Sequence, residues 1–220
     1  YYWRNFNLDT RKQLIANWQK LLFDHQDLII HILCLEAGLP LQQAILEFKQ
    51  TMVSMQYYLQ KPAQKQHKPH GAMFSWLTWL FPLKNTIQTI CAALLEGNAM
   101  ILKPSLKNAL LTQKLVELAH KAGIIPEVLQ LAIIEDVPNS LLLNMDALFI
   151  NGATDRIAGI RQKCLQQEII AITNSIDVVI ADDSAVIEDL LHGILHPYFG
   201  RKMVLCCLSK QLWQELESIL

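Results

Sequence analysis

Apolar residues recur every three or four positions along the first quarter of the chain and gather into short unbroken runs beyond it. Leu14, Ile15, Trp18, Leu21 and Leu22 follow the first rule. Their period predicts one long helix over residues 9–36, capped by Asp9 or Thr10 and stopped by Gly38. Pro40 stands where a second helix begins, and Leu41, Ala44, Ile45, Phe48, Met52 and Met55 form its apolar stripe. Residues 60–71 then break the pattern, with "KPAQKQHK" running into Pro69 and Gly71 as a solvated linker.

Past the linker the rhythm changes. Strands are predicted at 72–76, 99–102, 128–134 and 147–150, and helices at 83–95, 106–122 (stopped by Gly123) and near 154–165. Short, continuously apolar strands alternating with helices require a parallel sheet covered on both faces. With right-handed crossovers this is an α/β fold, a Rossmann-type doubly wound sheet preceded by two helices. Ligands of such sheets lie at the carboxyl ends of the strands. A further stretch has strands at 168–172, 177–181 and 203–208 and helices at 185–196 and from 210, the beginning of a second α/β domain. The division expected is therefore 1–167 and 168–220.

Composition narrows the function. About half of the 220 residues are apolar and the formal net charge is −1, so charge offers no argument for nucleic acid or an anionic membrane. The mean hydropathy of +0.21 is high for a soluble protein. No apolar run reaches the roughly 18 residues of a membrane helix, because Pro82 and Lys84 stop the most apolar stretch, residues 72–83. No charged start followed by an apolar core and cleavage site opens the chain. Five cysteines in no framework spacing point to free thiols in a reducing, cytoplasmic setting, and no paired His/Cys spacing suggests zinc.

Five places can hold chemistry. Lys103 follows the apolar run "AMIL" and precedes Pro104; its ammonium either snorkels from a strand end or donates to a ribose or phosphate lying across it. In "FINGAT", Gly152 is either a plain strand–helix turn or part of an anion site made of backbone N–H groups. Glu168 is a general base if it is buried beside a reacting group, and otherwise an exposed strand-opening carboxylate. Cys206 and Cys207 point to opposite faces of an apolar strand, which makes them buried, inert thiols unless one faces a site as nucleophile. Trp76 and Trp79 follow the first strand, where aromatics pad a sheet edge or stack a cofactor.

Taken in order, these segments resemble the aldehyde dehydrogenase superfamily. "AALLEGNAMILKPS" (92–105) resembles its A-L-A-A-G-N-x-V-V-L-K-P-S stretch, and "TWLFPL" (78–83) its P-W-N-F-P. "EAGLPLQQAILE" (36–47), "LAHKAGIIPEVLQL" (118–131), "FINGAT" and "DVVIADDSAVIEDLL" (177–191) fall in family order around them. The resemblance implies a cofactor domain followed by a catalytic one, with the family's N-terminal portion and most of its catalytic domain outside these 220 residues. It implies NAD or NADP as cofactor, held by Lys103, Ser105, Trp79 and Gly152, and a small-molecule aldehyde as substrate. In that chemistry a cysteine thiolate attacks the aldehyde, an asparagine amide and a backbone N–H hold the oxyanion, and a glutamate activates water. Glu168 and Cys206 are the catalytic candidates here, and family members form oligomers, homo- or heteromeric.

Several positions depart from the family pattern. Leu80 replaces the asparagine of P-W-N-F-P, Leu106 the glutamate that follows K-P-S, and Ala153 the serine of F-T-G-S. "EIIAITNS" keeps Glu168 but none of the glycines of E-L-G-G-K, and "GRKM" sets Met203 where G-Q-x-C carries the nucleophile. These departures lead to the expectation of aldehyde oxidation that is impaired or lost. Two alternatives are a non-catalytic scaffold or regulatory partner and a nucleotide-binding module without chemistry.

Overall fold

The computed structural model describes residues 3–62, 68–173, 177–181, 186–194, 203–207 and 209–219. They form two compact units, Tyr1–Thr173 and Asn174–Leu220.

The first unit opens with three helices. Helix α1 (Leu8–Asp24) buries Ile15, Trp18 and Leu22, the spacing that predicted it. Its cap is Asn7, whose side chain accepts from Thr10 N at 2.7 Å, rather than Asp9 or Thr10. The single helix expected over 9–36 is two. His25 leaves helical geometry (φ −110°, ψ 20°), with its ring Nδ1 2.8 Å from the Leu21 carbonyl, and α2 (Gln26–Ala37) starts after it. Apolar periodicity continues across the break, so the pattern alone cannot show it. Gly38 closes α2 in the left-handed region (φ 67°), and α3 (Leu41–Gln60) follows Pro40. Ala44, Phe48 and Met55 are buried as expected, whereas Leu41 is 60% exposed and Glu47 takes a core position.

Strands β1 (Ala72–Trp76), β2 (Ala99–Lys103), β3 (Leu129–Leu131), β4 (Ala147–Gly152) and β5 (Glu168–Thr173) form one sheet in the order β3-β2-β1-β4-β5. Every neighbouring pair is parallel. The chain moves outward from β1 to β3 and resumes on the other side at β4, so the order reverses between β1 and β4. Helices α4 (Pro82–Leu95) and α5 (Ala109–Lys121) return between the first strands. They pack against α1–α3, and the Trp18 indole N–H donates to the Leu115 carbonyl at 3.1 Å across that layer. On the other face, α6 (Asn139–Leu143) and α7 (Thr154–Lys163) cover Phe74, Leu148 and Ile150 with Leu142, Ile157, Ile160 and Cys164.

Three boundaries differ from the sequence expectation. β3 spans three residues rather than seven, and α6 was not foreseen, because "NSLLL" is too short to show a period. The strand expected at 168–172 as the opening of the second stretch is instead the edge of the first sheet, in register with β4 from Ala147↔Glu168 to Gly152↔Thr173. Strand partners are set by long-range pairing that a local apolar run does not encode.

The second unit, by itself, is a small β–α–β arrangement. β6 (Asp177–Ala181) pairs in parallel with β7 (Met203–Cys207). Helices α8 (Ile187–Ile194) and α9 (Lys210–Ile219) accompany them, and Ala181, Leu212 and Leu216 pack with Ile187, Leu190 and Leu191.

Candidate functional site

The carboxyl ends of β1, β2 and β4 bring together residues far apart in sequence. Register sets Trp76 beside Lys103 on one side and Ile150 on the other, and Leu77 N donates to the Lys103 carbonyl at 2.9 Å. Side chains at paired parallel positions share a face, so Lys103 and Trp76 both project toward the α7 layer. Lys103 Nζ lies 5.1 Å from the Trp76 ring centroid, and the Arg156 guanidinium carbon 5.0 Å from the same ring. Arg156 belongs to the first turn of α7, and its Nη1 lies beside Gly152, 3.5 Å from where a Cβ would stand.

Lys103 is only 6% exposed. Among the described residues its ammonium makes no ion pair and no hydrogen bond; the indole face is its partner. Burial pulls its pKa below the ordinary lysine value, the Arg156 charge lowers it further, and the carboxylates of Glu135 and Asp136 partly offset both. An ammonium has three N–H donors, and no protein acceptor takes any of them among the described residues. A ligand oxygen lying across the end of β2 would satisfy them.

The helix ends around this group are not equivalent. Glu47 Oε1, itself buried, accepts from Leu83 N at 3.0 Å and Lys84 N at 3.2 Å, filling the N-terminus of α4. Glu36 does the same for α5 through Leu110 N and Leu111 N at 2.8 and 2.7 Å. α7 begins after Ala153, whose side chain cannot cap it, and Asp155 is the acidic residue of its first turn. Phe81 takes a left-handed conformation (φ 44°) before Pro82 opens α4, so the "TWLFP" turn is tightly set.

Not every residue singled out from sequence joins the group. Ser105 caps the turn at Leu106–Asn108, its hydroxyl accepting from Lys107 N at 3.3 Å. Trp79 is half-buried, with Lys107 Nζ 5.5 Å from its ring. Glu168 opens β5 at the amino ends of the strands, the side opposite Lys103; it is exposed and pairs with His70 Nδ1 at 2.9 Å. Cys206 lies in β7 opposite Ile180, with its side chain, like residues 195–202, outside the described set. Of the other cysteines, Cys34 is half-buried, while burial pushes the thiols of Cys91 and Cys164 upward, away from nucleophilic character. Arg156 and Glu47 were not foreseen. The signal available for Arg156 was its place four residues after Gly152 on a predicted helix; for Glu47 it was a carboxylate within an apolar stripe.

A cavity of about 660 Å³ lies at the amino ends of the strands, lined by Trp3, His70, Gly71, Gly97, Glu127 and Asp146 among others. Parallel sheets hold ligands at the opposite end, at the point where strand order reverses. The Lys103 ammonium on the Trp76 ring at the switch point therefore locates the site better than cavity volume does. Among the described residues no cluster of His, Cys, Asp or Glu could hold a metal ion, and no helix is long and apolar enough to cross a membrane.

Five parallel strands wound both ways from β1, with a cationic group at the switch point, define a Rossmann-type α/β domain. The model of the aldehyde dehydrogenase family matches residues 2–199, and the chain belongs to that family. It is 26% identical over 206 residues to the bifunctional protein PutA of Salmonella typhimurium, covering 86% of this chain and 16% of that protein. It is 24% identical over 219 residues to malonate-semialdehyde dehydrogenase of Bacillus subtilis, covering 90% of this chain and 45% of that enzyme. The crystal structure of an Escherichia coli NADP-dependent enzyme shares the fold with a TM-score of 0.85 and 21% identity, over 99% of this chain and 52% of that one. The chain thus spans about half or less of each relative.

Proposed function

We propose that the first unit binds NAD or NADP at the carboxyl ends of β1, β2 and β4, and that aldehyde oxidation by this chain is impaired. The carrying observation is Lys103: a largely buried side chain whose ammonium has no ion-pair partner among the described residues and rests on the Trp76 ring at the carboxyl ends of the strands. The residues present fit the nucleoside part of such a cofactor. Lys103 would hold the ribose, while Asp155 in the first turn of α7 leaves that helix start less suited to a phosphate. When bound, a nicotinamide cofactor supplies the hydride acceptor.

The oxidation chemistry is supported less well by these residues. Leu80 presents an apolar side chain where the family's asparagine amide would hold the oxyanion; its own carbonyl is taken by Asn85 Nδ2 at 2.7 Å. Losing such a donor typically costs about 3 kcal/mol of transition-state stabilisation. A thioether at Met203 cannot form a thioester. The purified chain, given NAD or NADP and a panel of short aldehydes, is expected to show no aldehyde-dependent rise in absorbance at 340 nm. A rise that disappears in Cys206→Ala would overturn this part of the proposal.

A scaffold role is the second reading, favoured by Leu46, Val53 and Tyr57, which are 54%, 71% and 64% exposed along one side of α3. It expects a solution mass at least twice the 25.1 kDa of one chain by size exclusion with light scattering. A monomer that binds no partner contradicts it.

A further inference from the structure

A second recess lies at the other end of the first sheet from Lys103, where α1 starts and α3 and α4 stop. Helix α4 passes there through Glu96 toward β2, and α3 passes through Lys61 into the basic linker. Between these helix ends is a cavity of about 330 Å³. Arg4, Arg11, Lys12 and Lys61 line it, with Glu96 as the one carboxylate among its lining residues and Leu8 and Leu95 on its apolar side.

Cations at such a place ordinarily answer the carbonyls of helix carboxyl ends. Lys12 does so: its Nζ donates to the Lys61 carbonyl at 2.7 Å, where α3 stops. The remaining charge is not accounted for in this way. Arg11 is half-buried in the first turns of α1, and its Nη1 donates to the Phe6 carbonyl at 2.8 Å. Its Nε is buried without an acceptor among the described residues. Burial pulls the Arg11 pKa below the ordinary arginine value, and only the charge of Glu96 opposes that. The half-buried Lys61 ammonium makes no hydrogen bond among the described residues, and neither it, Arg11 nor Lys12 is in an ion pair there.

Like charges gathered on one small cavity repel, and partly desolvating them adds to the cost. An anion between them replaces the repulsion with charge-assisted hydrogen bonds. The volume is at the low end of ligand-binding clefts, roughly 300–1,000 Å³, and suits a molecule much smaller than a dinucleotide.

We propose that this cavity binds a small polyanion, a phosphate ester or a polycarboxylate, with Arg11 and Lys61 as its charged contacts. Parallel sheets hold nucleotides at the carboxyl ends of the strands. This site is at the amino ends of β1 and β2, and it stands whether or not the chain binds a nucleotide.

The test is calorimetric titration of the 220-residue chain with pyrophosphate and with citrate, in a low-salt buffer free of phosphate. At least one of the two is expected to bind, one per chain, and to weaken as sodium chloride is added. The tighter of the two names the chemistry of the ligand. Lys61→Gln is expected to bind it at least about fivefold more weakly, the scale of one charged hydrogen bond at a partly exposed site. Lys61→Arg keeps the charge and the donors and is expected to bind like the native chain. Lys49→Gln removes the same charge from an exposed position outside the cavity, and Lys103→Met removes one at the other end of the sheet; both are expected to leave the affinity within about twofold. Melting temperatures equal to that of the native chain without ligand show that the variants fold. Binding of neither anion, a Lys61→Gln chain with native affinity, or an equal loss in Lys49→Gln overturns the site. A loss in Lys103→Met alone places the anion at the carboxyl ends of the strands and overturns it as well.

Discussion

Replacing Glu47 with alanine is expected to lower the unfolding free energy of the first unit by about 3 kcal/mol, measured by urea titration of tryptophan fluorescence. Glu47 is 4% exposed and accepts from Leu83 N and Lys84 N at the start of α4. Alanine leaves the buried Leu83 N–H and the half-buried Lys84 N–H without this acceptor and removes the negative charge that complements the helix N-terminus. Each hydrogen bond to a charged group is worth roughly 1.5–3 kcal/mol, and water entering the vacated space recovers part of the loss. The same carboxylate holds the turn around Phe81, whose left-handed backbone costs about 1–2 kcal/mol for a residue with a side chain. Releasing α4 therefore loosens "TWLFP", and nucleotide affinity is expected to fall with stability. Glu47→Gln, which keeps one neutral acceptor, is expected to lose about half as much.

Trp18→Ala is expected to be costlier still, about 4 kcal/mol, with a fall in melting temperature of roughly 10 °C by far-UV circular dichroism. The ring is fully buried between α1 and α5, and its N–H satisfies the Leu115 carbonyl. Alanine opens a cavity too large to collapse and leaves that carbonyl without its donor. Total stability of an ordinary domain is about 5–15 kcal/mol, so this one change removes a large share of it. Trp18→Phe keeps most of the volume and isolates the hydrogen bond, with an expected loss of about 1 kcal/mol.

How much of this was legible from residue order follows from the range of each interaction. The β1 run "AMFSW" and the helix after Pro82 read within a residue of their observed ends, since a linker, a proline and an apolar run are all local signals. The break at His25 was hidden because the apolar period passes through it unchanged. Strand β5 was recognisable as a strand, but its partner was not: pairing with β4 is a tertiary fact. The same division holds at the site. Lys103 stands out as a charge ending an apolar strand. That it rests on Trp76 follows from strand register, and that Arg156 reaches the same ring follows from how α7 packs on the sheet. Glu47 looked like a misplaced charge in the α3 stripe because its donors, the first N–H groups of α4, lie in another segment.

The central claim, a nucleotide held by Lys103 at the end of β2, has a direct measurement: the melting temperature of the chain with and without saturating NADP or NAD, compared with Lys103→Met. Methionine keeps the length of the buried stem and removes only the ammonium. At a hundred times Kd a ligand stabilises by about 2.7 kcal/mol, which raises the melting temperature by roughly 5–10 °C in a domain of this size. The account predicts that rise for at least one of the two nucleotides in the native chain and none in Lys103→Met. No rise in the native chain, or an equal rise in the variant, contradicts it.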